Sequence, residues 1–126
     1  MKRTNGVQVN SVSYMGTNKR KTRVVKIPKE YGDVTETATL NKDGNLKRLD
    51  RVHRNPQGHT LATEVHKFTA EETGETQYEG SDVYRSSHLG GSAAEVKKGM
   101  TSKKEAEETG EAFAKKTHAL SQGSSA

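Results

Sequence analysis

Two turn signatures, Lys42-Asp43-Gly44-Asn45 and Asn55-Pro56-Gln57-Gly58, constrain this chain more than any other feature. Asp-Gly supplies the positive φ of a tight hairpin, because glycine has no Cβ to clash. Asn-Pro-Gln-Gly matches a type I turn. Asn hydrogen-bonds forward from the first position, Pro sets φ at the second, and Gly is favoured at the fourth. The segments that these turns join are therefore expected to run antiparallel.

Residues 34–40 alternate, with Val34, Ala38 and Leu40 on one side and Thr35, Thr37 and Thr39 on the other. A period of two with β-branched residues is a strand pattern. Glu36 interrupts the apolar side, so that side is expected to be only partly buried. In residues 46–54, Leu46, Leu49 and Val52 are spaced by three, which suits a helix as well as a strand. The flanking turns decide for a strand. Residues 59–68 form a third segment, with Leu61 and Val65 on one face.

The expected fold class is mainly β with extended arms. It comprises a small antiparallel meander over about 34–68, short C-terminal helices, and much irregular or partner-dependent structure. The meander holds eight large apolar side chains: Val34, Leu40, Leu46, Leu49, Val52, Leu61, Val65 and Phe68. Their burial does not offset the entropy of ordering the segment. Cover is expected from the chain's own arms, a second copy or a partner.

Composition agrees. Ten valines, six leucines, one isoleucine and two phenylalanines are few for 126 residues, which favours disorder, although the net charge of +5 is modest. Without cysteine there are no disulfides or thiolate metal sites. No apolar run is long enough to span a bilayer, and no hydrophobic segment follows the polar N-terminus. The expectation is a cytoplasmic, nuclear or virion protein with no membrane partner.

Charge divides the chain. Residues 1–33 carry eight Lys/Arg against two acids, and residues 70–126 carry seven against ten. The expected organisation is a basic N-terminal arm (1–33), the meander (34–69), a linker (70–91), and a helical segment and tail (92–126). Lys19, Arg20, Lys21 and Arg23, extended by Lys26 and Lys29, form the densest basic run. Phosphate contact is the functional reading of that run, and a solvated charge run is the structural one. The aromatic interleaving of a single-strand platform is missing, since Tyr14 and Tyr31 are the nearest rings.

In the C-terminal segment, Ser92-Ala93-Ala94-Glu95 and Ser102-Lys103-Lys104-Glu105 both have capping-box spacing. With Gly99 and Gly110 inside, they point to two short helices. Glu111 and Lys115 make a favourable i,i+4 pair. Ala106, Phe113 and Leu120 form a thin apolar stripe. Ala70-Glu71-Glu72-Thr73-Gly74-Glu75 recurs as residues 106–111, which reads either as a duplicated partner motif or as coincidence in a biased composition.

Chemistry is sparse. His53 and His59 flank the second turn and approach each other if it closes, but metal binding needs more ligands and a supporting shell. Exposure is the expectation for all five histidines. No glycine pattern matches a phosphate loop or a nucleophile elbow. No catalytic residue, metal ligand or cofactor is assigned.

The leading expectation is a non-enzymatic structural or assembly component, such as a minor virion or ribonucleoprotein protein. Its arms would order on neighbouring protein subunits, copies of itself included. The alternatives are a nucleic-acid-binding module using the N-terminal basic run, and a largely disordered interaction or stress protein.

Overall fold

The computed structural model describes residues 8–14, 21–70, 76–87 and 92–122. The two turns form as their residues dictate. Asn41 Oδ1 accepts the amides of Asp43 and Asn45, and Gly44 takes φ 88°. In the second turn the Gly58 amide donates to the Asn55 carbonyl at 2.9 Å, and Asn55 Oδ1 accepts the amides of Gln57 and His59. These turns join β3 (Gly32–Leu40), β4 (Leu46–Arg54) and β5 (Thr60–Ala70) into the expected meander.

The meander does not stop there. β1 (Gln8–Tyr14) and β2 (Lys21–Lys29) precede it, and β6 (Thr76–Ser86) and β7 (Ala93–Met100) follow. All seven strands form one sheet in chain order, each antiparallel to the next. Where residues are described, the basic arm expected over 1–33 contains β2 and the linker expected over 70–91 contains β6, both regular strands. Polar residues alternate with Val25 and Ile27 in β2 and with Val83 in β6, so each strand has an apolar side to set against the sheet.

One helix, α1 (Lys103–Gln122), crosses one face of this sheet. Ser102 caps it. The Glu105 amide donates to Ser102 Oγ at 3.1 Å, and the Ala106 amide donates to the Ser102 carbonyl. The other expected start, at Ser92, is not used. Residues 93–100 pair with β6, and Gly99 sits at φ 67°, outside helical geometry, with its amide bonded to Asp82. Two short helices are thus corrected to one strand and one 20-residue helix. Tertiary pairing outweighs a local start signal of this strength.

Helix α1 buries Ala106, Gly110, Phe113, Ala114 and Thr117, which fall on one helical stripe. Leu120, expected to extend that stripe, is 48% exposed. The buried cluster joins Tyr31, Leu61, Ala62 and Val83 to Ala106, Phe113 and Ala114, with Met100 packed against it. The cover that the meander lacked therefore comes from its own C-terminal segment.

Candidate functional site

The pleat sends alternate side chains of each strand to the α1 side. In β4 these include Leu49, Arg51 and His53; in β5 they include Ala62, Glu64 and His66; in β6 they include Ser81, Val83 and Arg85. All nine are buried. Register then sets them in rows. Glu36, Arg51, Glu64 and Val83 are successive cross-strand partners, as are Leu49, His66 and Ser81.

Glu64 lies at the centre with no exposure, as do His53 and His66. His53 Nε2 is 2.5 Å from Glu64 Oε2, and His66 Nε2 is 2.7 Å from Glu64 Oε1. Arg51 Nη1 is 3.4 Å from the same Oε1 and 3.3 Å from Glu107 of α1. Arg51 Nε lies 3.1 Å from Glu36, an ion-pair distance without hydrogen-bond alignment. The far nitrogens of the two imidazoles are also engaged. Tyr31 Oη is 2.7 Å from His53 Nδ1, and Ser81 Oγ is 2.5 Å from His66 Nδ1. Tyr78 Oη stands 2.6 Å from Ser81 Oγ and 3.2 Å from the Met100 carbonyl.

Charge and tautomer follow from this geometry. Burial by itself would raise the Glu64 carboxyl. Hydrogen bonds from His53 and His66, with the Arg51 charge, outweigh burial and hold it below the ordinary range. An ionised carboxylate only accepts, so both histidines present Nε2–H to it. Tyr31 Oη and Ser81 Oγ engage the two Nδ1 atoms. Burial, followed by the Glu111 charge, pushes the Tyr31 phenol well above its usual range.

Helix α1 closes the site. A Cβ at Gly110 would lie 2.2 Å from Glu64 Oε2, so only glycine lets the helix come this close. A cleft of about 280 Å³ opens beside α1, lined by Lys29, Arg51, Lys104, Glu107, Glu108 and Glu111. Four of its six charged residues pair internally: Lys29 with Glu111 at 3.2 Å, and Arg51 with Glu107. Among the described residues, no three His, Cys, Asp or Glu side chains converge on a metal position.

The structure disperses the basic run singled out by sequence. Lys19 and Arg20 lie outside the described residues. Lys21 starts β2, and its side chain is not described. Alternation along β2 puts Arg23 and Lys29 on the α1 side and Lys26 on the opposite face. Lys29 is taken up by Glu111 of α1, and Lys26 lies 3.9 Å from Asp33.

His53 and His66 correct the expectation that every histidine is exposed. Glu64, to which the sequence assigned no role, is buried with them. A usable signal existed. Closing the hairpin at Asn55–Gly58 sets Arg51 opposite Glu64, and the i+2 spacing places a histidine beside each on the same face.

No protein-family model, curated protein or solved structure matches this chain. No helix among the described residues is long and apolar enough to cross a membrane.

Proposed function

We propose that the chain is a non-enzymatic structural or assembly component whose sheet edges order against neighbouring copies. The observation that carries this reading is the open sheet. Its seven strands do not close, so β1 and β7 each keep one side without a partner strand among the described residues. Exposed edges are templates for further strands. The ionisable cluster supports the same reading from the other side. Glu64, His53 and His66 are sealed and mutually satisfied, an arrangement that fixes a core and offers no reacting atom to a substrate.

Seven alternating strands leave β1 and β7 running the same way. With α1 on the same face in both copies, pairing β7 of one with β1 of the next is therefore a parallel, head-to-tail contact. Contacts of that kind propagate into rings or filaments, as a virion or ribonucleoprotein component requires. Among the described residues, Val96, 47% exposed, is the large apolar side chain of β7 that faces solvent.

Sedimentation velocity over a concentration series tests the reading. The expected result is a mass that grows with concentration, reduced in Val96→Lys. A chain that stays monomeric throughout, with β1 and β7 amides exchanging freely at every concentration, would refute it.

A further inference from the structure

The face of the sheet away from α1 carries a second charged feature, independent of the assembly reading. Thr39, Arg48, Lys67 and Gly80 are successive cross-strand partners on β3 to β6. Arg48 thus sits directly opposite Lys67, a like-charge pair that costs stability in a sheet. Lys47, at the irregularity where β3 and β4 shift register, adds a third cation. These four side chains, Thr39, Lys47, Arg48 and Lys67, line a surface hollow of about 280 Å³.

The acids nearby position these cations without cancelling them. Asp50 holds the Arg48 guanidinium through Nε alone, at 3.0 and 3.1 Å. Both Nη groups of Arg48 make no hydrogen bond to any described residue. Asp82 accepts from Lys67 at 3.1 Å, but its other oxygen is committed to the Gly99 amide at 2.9 Å. That amide is the main reason its carboxyl is held below the usual range. Three cations against two carboxylates leave the hollow positive. A guanidinium steadied through Nε with its Nη pair unspent is the fork that grips phosphate oxygens in bidentate fashion. Thr39 supplies a hydroxyl donor, and Gly80 ends the row without a side chain to crowd it.

We propose that the hollow formed by Thr39, Lys47, Arg48 and Lys67 binds a phosphate group. The shared chemistry admits free phosphate and the phosphodiester of a nucleic-acid strand. It places phosphate contact on β4 and β5, away from the N-terminal basic run.

The test is titration of the full chain at low salt, followed by amide NMR, with inorganic phosphate in one arm and oligodeoxythymidine in the other. Shifts centred on residues 39, 47, 48 and 67 are expected. Response to both probes, or to phosphate alone, supports the site with free phosphate as a sufficient ligand. Response to the oligonucleotide alone supports it with a nucleic-acid backbone as the source. Arg48→Ala should weaken binding about tenfold. Arg48→Lys should lose most of the same factor, because it keeps the charge and loses the fork. Lys26→Ala, on the same face but outside the hollow, should change binding less than about twofold. Silence in both arms overturns the proposal. Equal weakening by Lys26→Ala and Arg48→Ala overturns it too, since that marks diffuse surface charge.

Discussion

At the scale of the residue, Glu64 decides most. Its carboxylate accepts from two imidazoles and faces one guanidinium, all inside the fold. Such a group stabilises only while each partner is present. Glu64→Gln removes the charge that Arg51 and both histidines are oriented toward, and it places an NH₂ donor against N–H donors. The expected cost is about 3–5 kcal/mol, read from urea unfolding at neutral pH. The pH dependence has a definite sign. The folded carboxyl titrates below the unfolded one, whose ordinary value is 4.5. The Glu64 contribution is therefore complete above that value and is lost as pH falls through the folded pKa. Urea midpoints of the native chain should drop through this acidic window, and those of Glu64→Gln should drop less. Parallel curves would show that Glu64 is not the group responsible. Gly32 imposes a different constraint at the same scale. At φ 148° its missing Cβ would overlap the Arg54 carbonyl at 1.9 Å, so the β2–β3 turn can press against β4 only with glycine there.

At the scale of the element, α1 shows a tertiary contact overruling a propensity. Alanine is a better helix former than glycine by about 1 kcal/mol, and Gly110 stands in mid-helix. Gly110→Ala should nevertheless destabilise the chain, because its methyl would meet a Glu64 side chain that His53, His66 and Arg51 prevent from swinging aside. A loss of about 1–3 kcal/mol is expected, seen as a lower thermal midpoint with helix content retained. A raised midpoint would show that α1 rides higher on the sheet. The recurrence at residues 106–111 gains a partial physical account here. The second copy spans the part of α1 that supplies Ala106 to the core, Glu107 to Arg51 and Gly110 to Glu64. Most of the first copy lies outside the described residues. The expected Glu111–Lys115 pair forms at 3.5 Å, and Glu111 also reaches Lys29 of β2, so one side chain ties the helix to the sheet.

At the scale of the whole molecule, the sheet and α1 depend on each other. Among the described residues, α1 supplies most of the cover over Leu61, Ala62, Val83 and the Glu64 cluster. A chain ending at Met100 should lose cooperative unfolding and expose amides throughout β4 to β6, measurable by hydrogen exchange; a truncated chain that keeps native protection there would contradict the dependence. The sequence by itself determined the β3–β5 meander, because Asp43-Gly44 and Asn55-Pro56-Gln57-Gly58 are local conformational preferences that act within a few residues. It also determined the Ser102 cap and the need for outside cover, which follows from a short tally of large apolar side chains. Tertiary structure alone decided that residues 93–100 pair as a strand, since Ser92 opens a helix as convincingly as Ser102 does until β6 offers an edge. It alone decided that the basic run divides between two faces, and that Arg51, His53, Glu64 and His66 meet. Those outcomes rest on register across strands. A one-residue slip would turn the same side chains to solvent, and burial under α1 is what selects the register that hides them.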